Sequence, residues 1–337
     1  MADSTFTANQ TPLIGDITSV LKESSHAKLF LGKWYNSKDS IAVKIPYLDY
    51  DESKRQRDID RIARVMKKIL PFDHVNVVRH FHHDIGIIKA SVTHRFNTLD
   101  SQFYRIPQFQ IVMEYCSGGT LHDLLKISPI AARLLQKWAR QLADGLAYLH
   151  ERRCAHKDLK GDHIFLSSPD VNCCCLKIGG LVNLKQLLSS TTTSMYCGDI
   201  TNKASSFAFM SPEMITGSEV EIEPVGETKK LGRRSDIWSL GCVLIQMITR
   251  SIPQFLKYKD NKVTAITGEL AIVYFVGSGG FPTIPSDIPA LLKQMIEQCL
   301  ARDPNDRPTA SELLQHPFFS CCTNSMEDQW MQNSPAG

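Results

Sequence analysis

The sequence predicts an α+β fold, with a small β-rich part first and a larger helical part after it. Three observations carry that expectation. Extended apolar runs cluster early: Leu29, Leu31 and Trp34, then Ile41-Ala42-Val43-Lys44-Ile45, then Ile111-Val112-Met113-Glu114. A single charged helix interrupts them, Asp51 to Leu70, carrying Ile59, Ile62, Val65, Met66 and Ile69 on one face. From Ser128 onward the period becomes helical, with Leu135, Trp138, Ala139, Leu142, Leu146 and Leu149 in one stripe.

Element by element, Ser19 to Ile45 reads as two or three strands, and the hydroxyl of Ser128 with Pro129 reads as the start of the first long core helix. The run from Ile237 to Ile248 is apolar nearly all round, which suits a helix buried inside a lobe. Leu291, Leu292, Met295, Cys299 and Leu300 form another helix face. Thr309-Ala310-Ser311-Glu312 is a capping box for a last helix ending near His316-Pro317. Residues 1–15 read as a disordered leader and 320–337 as a tail.

Composition narrows the function classes. The 337 residues are 43% apolar and 22% charged, enough to bury a large core. A net charge of +3 is too small to suggest nucleic acid or a membrane surface. No apolar run reaches the roughly 18 residues of a membrane span, and the polar N-terminus has no signal-peptide pattern, so a cytoplasmic protein is expected. Ten cysteines include the consecutive Cys173, Cys174 and Cys175 and the pair Cys321, Cys322, without zinc-knuckle spacing. They are read as reduced thiols in a strand and a tail. His82, His83 and His94 lie in a long segment, Phe81 to Phe109, read as a solvated insertion between two strands because their spacing is irregular.

The chemistry concentrates in Cys154-Ala155-His156-Lys157-Asp158-Leu159-Lys160-Gly161-Asp162-His163. An acid with a base two residues on makes a short loop able to hold a hydroxyl nucleophile beside an anionic substrate. The stretch resembles the catalytic loop of protein kinases, His-Arg-Asp-Leu-Lys-x-x-Asn. The resemblance implies that Asp158 is the catalytic aspartate, Lys160 the lysine typical of serine/threonine kinases, and His156 a structural residue. Lys157 stands where an arginine reads a phosphorylated segment, and lysine cannot make that bidentate contact.

Other segments resemble the family in the right order. Ile41 to Ile45 is similar to the V-A-I-K strand, which implies that Lys44 grips nucleotide phosphates. The glycine-rich loop upstream is represented by Lys22, Ser24 and Ala27, so the hairpin is expected to persist without its close approach to phosphate. The helix glutamate that pairs with the strand lysine falls at or near Ile62; Asp58 and Asp60 are the nearest acids, and the pair is expected to be absent or displaced. His74-Val75-Asn76-Val77-Val78 resembles the H-P-N-I-V turn. Ile111 to Leu121 looks like the hinge, implying Met113 as gatekeeper and the backbone of Glu114 and Cys116 as adenine partners. Phe165 falls where a smaller aliphatic supports adenine.

Two positions break the pattern together. The metal-binding asparagine of the catalytic loop is His163, and Asp-Phe-Gly is replaced by Gly180-Leu181-Val182. In the family these positions hold Mg²⁺ on the ATP phosphates. Mg²⁺ requires oxygen ligands; glycine offers none and imidazole is a poor choice. A metal contribution of roughly 4 kcal/mol, once lost, slows phosphoryl transfer about a thousandfold. Asp162 and Asp199 are the remaining candidate carboxylates. ATP is thus the implied cofactor, with ordinary Mg²⁺ binding not expected.

In the helical part, Ser205 to Glu213 resembles G-T-P-x-x-M-A-P-E, placing Ser206 at the threonine that bonds the catalytic loop. Glu213 is expected to pair with Arg307, and Asp236, in the Gly232 to Cys242 run, to anchor the catalytic-loop backbone. Ser189 to Ser194 is a hydroxyl-rich activation segment and Ser218 to Lys230 a solvated loop. Within the family the chain looks most like MAP kinase kinase kinases of the MEKK type. The resemblance implies a two-lobed domain over 16–319, split near 115/116, with a nucleotide cleft between the lobes. The function expected is a pseudokinase that scaffolds or regulates kinases of such a cascade. The alternative is a weakly active or unconventional serine/threonine kinase. A zinc or redox protein built on the cysteines is the third class, and is not expected.

Overall fold

The computed structural model describes residues 14–34, 37, 39–49, 51–86, 108–182, 207–217, 228–259 and 262–320. These divide into two compact units. The first takes the described residues of Met1–Asp73, Val78–Tyr115 and Val182–Met195; the second takes those of His74–Val77, Cys116–Leu181 and Tyr196–Gly337.

The first unit is an antiparallel sheet of β1 (Ile14–Glu23), β2 (Ala27–Trp34), β3 (Ser40–Pro46), β4 (His80–Gly86) and β5 (Gln108–Glu114), in the order β1-β2-β3-β5-β4. Its core is Ile17, Phe30, Ile41, Val43, Ile45 and Val112. Register brings these together: Val43 lies opposite both Phe30 and Val112, so one face of three neighbouring strands is apolar. The β1–β2 turn closes where the glycine-rich loop was aligned. There the Ser24 amide and hydroxyl each donate to Ala27 O at 3.0 Å, so the hairpin stands without glycine. Helix α1 (Glu52–Ile69) begins at Asp51, whose carboxylate accepts the Lys54 amide at 2.9 Å. It buries Ile62, Met66 and Ile69 and runs beside β4.

The segment read as an insertion needs correction. Phe81 to Gly86 belongs to β4, with His82 opposite Val112 and His83 opposite Ile111. The polar residues at 80 and 82–84 masked the alternation that marks a strand. His94 lies outside the described residues.

The second unit contains α2 (Leu121–Ile127), α3 (Ala132–Glu151), β6 (Ile164–Leu166), β7 (Leu176–Ile178), α4 (Pro212–Thr216), α5 (Thr228–Thr249), β8 (Leu256–Lys259), β9 (Lys262–Ala265), α6 (Glu269–Gly277), α7 (Ala290–Cys299) and α8 (Ala310–Leu313). Helix α5 is its centre. Ile237, Trp238, Leu240, Val243, Leu244 and Met247 are all buried, and α3 and α7 pack on it. Among the described residues no helix is long and apolar enough to cross a membrane.

Ser128 does not start the core helix. It ends α2, its amide donating to Leu124 O at 3.0 Å, while α3 begins at Ala132 after the proline has turned the chain. The capping side chain belongs instead to Thr120, which accepts the Asp123 amide at the start of α2. The cysteine triplet also moves. It lies in and just after the turn before β7, where the Cys173 thiol reaches the Asp170 carboxylate at 3.3 Å, rather than in a strand. The β8–β9 hairpin, with strands of four residues each, has too little alternation to read from sequence.

Candidate functional site

The loop of interest leaves α3 and enters a single 3₁₀ turn, Gly161–His163, before β6. Strands β6 and β7 pair antiparallel, with Ile164 opposite Ile178 and Leu166 opposite Leu176. Continued one step beyond the strands, that register sets His163 beside Gly179, and the Gly179 amide donates to His163 O at 2.8 Å. Strand β7 is held in turn by Asn76, whose side-chain amide donates to Leu176 O and whose carbonyl accepts the Ile178 amide, both at 2.8 Å.

Two histidines lace the segments together. His156 Nδ1 accepts the Asp158 amide at 3.2 Å, so its Nε2 carries the proton and donates to Gly179 O at 2.6 Å. His163 Nδ1 donates to the Asp158 carbonyl at 2.7 Å and lies 3.5 Å from its carboxylate. Burial pushes the His163 pKa down to about 4, against the opposing pull of Asp158, so its imidazole is neutral near pH 7. The Asp158 carboxylate also lies 3.6 Å from Lys160 Nζ.

Gly180 has φ +75°, the left-handed region that suits glycine. The His163 ring fills the space that a Cβ on Gly180 would need. A Cβ placed on Gly180 would meet His163 Cγ at 2.8 Å, Nδ1 at 3.0 Å and Cδ2 at 3.1 Å. The two substituted positions therefore touch each other.

Beneath the loop is a buried ionic scaffold. Asp236, on α5 and fully buried, accepts the His156 amide at 2.8 Å, the Lys157 amide at 2.7 Å and His150 Nε2 at 2.8 Å. These bonds hold Lys157 at φ +63°, a conformation that costs a non-glycine residue roughly 1–2 kcal/mol. A Cβ on Gly232 would meet the flexible end of Lys157 at 2.8 Å and Ala155 Cβ at 3.2 Å. Farther on, Glu213 makes a fork with Arg307, at 2.6 Å to Nη1 and 2.8 Å to Nη2, and accepts the Ser235 hydroxyl at 2.6 Å. Burial alone would raise the Glu213 carboxyl; Arg307 and Ser235 outweigh it and hold the pKa below the ordinary value.

Residues 23–319 match the protein kinase domain family.

This chain is a member of the protein kinase family.

The curated relatives are named as MAP kinase kinase kinases. Human mitogen-activated protein kinase kinase kinase 4 is 33% identical over 217 residues, 64% of this chain and 12% of that protein. The ANP1 kinase of Arabidopsis thaliana is 29% identical over 297 residues, 86% of this chain and 37% of that protein. MAP kinase kinase kinase wis4 of Schizosaccharomyces pombe is 30% identical over 289 residues, 84% and 18%. The chain thus spans well under half the length of these relatives. In fold it is similar to the crystal structure of Rad53 1-466 in complex with AMP-PNP, with TM-score 0.60, 20% identity, and coverage of 91% of this chain and 65% of that one.

Of the residues aligned with phosphate and adenine contacts, the first unit carries Lys44, Met113 and Glu114. Lys44, on β3, donates from Nζ to Val182 O at 3.1 Å. On α1, Ile62 is completely buried, and Asp58 sits 3.5 Å from Arg61 with its pKa raised by burial. Met113 lies opposite Ala42 on one side and His80 on the other, at the end of β5. The Glu114 amide is engaged by Arg79 O at 2.9 Å. Cys116 belongs to the second unit and is buried, its carbonyl accepting the Gly119 amide at 3.3 Å. Ser206 and Asp199 lie outside the described residues.

The donor set does not fit Mg²⁺. Where the family places an amide oxygen and a carboxylate, this chain presents a neutral imidazole and a glycine in mutual contact. Among the described residues no group of three or more His, Cys, Asp or Glu side chains is arranged to hold a metal ion.

Sequence reading missed His150 and Asn76. A histidine inside the buried stripe of α3 has to find a polar partner, and that signal was available. Its partner, 86 residues away on α5, was not.

Proposed function

We propose that this kinase domain acts as a pseudokinase, a scaffold or allosteric regulator in kinase signalling with impaired use of Mg-ATP. The observation that carries this reading is that the two positions aligned with the metal ligands are an imidazole and a glycine packed together, neither with a side-chain oxygen to offer a cation. Phosphoryl transfer is catalysed almost wholly by positioning and charge neutralisation, so a site without its cation loses orders of magnitude in rate. The relatives' names support a place among MAP kinase cascades; protein partners drawn from such a cascade and a cytoplasmic location are part of the proposal. Lys44, Met113, Glu114 and Cys116 are the proposed nucleotide contacts. Because the Glu114 amide is taken by Arg79, its contribution to adenine would come from its carbonyl. Asp236, His156, Glu213, Arg307 and Ser206 are proposed as structural. The domain proposed is 16–319, with lobes of about 16–115 and 116–319.

One observation favours a second reading, a weak or unconventional serine/threonine kinase. Asp158 and Lys160 are both present and 3.6 Å apart, as a base beside a phosphate-facing cation would be. Thermal-shift titration with ATP, with and without Mg²⁺ or Mn²⁺, separates the two. The pseudokinase reading expects a shift indifferent to metal, or none. A metal-dependent shift, with peptide phosphorylation abolished by Asp158→Ala, would replace it with the enzyme.

A further inference from the structure

We infer that His163 and Gly180 are one interlocked replacement, in which the imidazole itself keeps a carboxylate, and with it a divalent cation, out of position 180. This deepens the reading just given and rests on it for the identity of the excluded ligand, a nucleotide-bound Mg²⁺. Any nucleotide the site accepts is accordingly taken free of metal.

The argument is steric and local. The atoms nearest a Cβ on Gly180 are His163 Cγ, Nδ1 and Cδ2, at 2.8, 3.0 and 3.1 Å. These are the root of the ring rather than its tip, so a small rotation does not clear them. Swinging the ring away would break the 2.7 Å bond from Nδ1 to the Asp158 carbonyl. Nor can the backbones part easily: Gly179 is tied by its amide to His163 O and by its carbonyl to His156 Nε2.

Backbone conformation strains any side chain at 180, an aspartate less than most. A φ of +75° is the region that Asn and Asp tolerate best among residues with side chains. A side chain at 180 therefore meets two obstacles, the left-handed backbone and the imidazole, and the imidazole is the one that a change at 163 removes. A separate loss of each ligand would leave two independent positions; the contact makes them dependent.

Two sets of variants test this. In the first, unfolding midpoints are measured for wild type, Gly180→Ala, His163→Ala and the double variant. The alanine at 180 is expected to lower the midpoint by several degrees in the wild type, and by less than half as much once the ring is gone. Equal drops in both backgrounds would overturn the interlock. If Gly180→Ala fails to fold, folding of the double variant is itself the rescue, and its failure counts against the proposal.

In the second set, Gly180→Asp, His163→Asn and their combination are titrated with Mn²⁺ in the presence of ADP. A cation-dependent shift is expected in the combination alone. The same shift in Gly180→Asp by itself, or no shift in the combination, would overturn the assignment of the imidazole as the excluding group. Cation-dependent phosphorylation by the wild type would end the pseudokinase reading yet leave the alanine cycle untouched, so the two claims fail separately.

Discussion

Two clusters in the second unit stand in opposite relation to the family pattern the sequence resembles. The scaffold of Glu213, Asp236 and Arg307 keeps every charged member, and each is buried with its hydrogen bonds made. The pair at 163 and 180 has changed both members, and the new pair fits together instead of leaving a gap. The difference follows from energetics. Deleting one partner of a buried ion pair strands the other charge, which destabilises the whole unit. On the proposed reading, replacing a metal ligand removes chemistry while stability is kept where the new residues pack without a gap. The fold and the proposed metal site thus rest on different residues.

The largest effect that would break this contrast lies in the scaffold. Arg307→Ala should cost about 3–5 kcal/mol in chemical denaturation, because Glu213 is left buried and charged. Combined with Glu213→Ala the cost should be well below the sum of the single changes. Additive losses would mean that the fork is not the unit described.

Acid sharpens the same contrast, because the clusters titrate in different windows. His163 has a folded pKa of about 4 against 6.5 when exposed, so the unfolded chain takes up its proton first. Stability linked to it is complete above pH 6.5 and falls as pH drops toward 4, by up to about 3 kcal/mol. Glu213, with its pKa lowered, gives stability present above the ordinary carboxylate value of 4.5 and lost below it. His80, buried in the first unit and also lowered to about 4, shares the His163 window. His83 and His316 are lowered by burial as well. His163→Asn should therefore reduce, not abolish, the loss of stability between pH 6.5 and 4, as followed by denaturation at each pH. An unchanged profile would show that the ring is not held neutral by its surroundings.

The smallest effect is a control. Thr309 and Glu312 form a reciprocal cap at α8, with the Glu312 amide 3.1 Å from the Thr309 hydroxyl and the Thr309 amide 2.6 Å from the Glu312 carboxylate. Thr309→Ala should cost about 1 kcal/mol. It should leave any nucleotide response in thermal shift unchanged, since the cap touches scaffold only.

The sequence by itself determined the class of fold, its family and most of the order of its elements. Those depend on local periodicity and on short motifs, such as the Thr309 cap or the Ile41–Ile45 strand, whose meaning is contained in neighbouring residues. It also pointed to 163 and 180 as changed, but as two entries in a pattern with no relation between them. Only the tertiary structure decided that they touch, that His150 completes the Asp236 cluster from 86 residues away, and that Ser128 closes one helix instead of opening the next. Ser128 turns on a local choice, that of its amide to bond Leu124 O. For the first two the physical reason is the same. These outcomes depend on strand register and helix packing, which bring together residues far apart in sequence, and a contact of that kind leaves no local pattern to read.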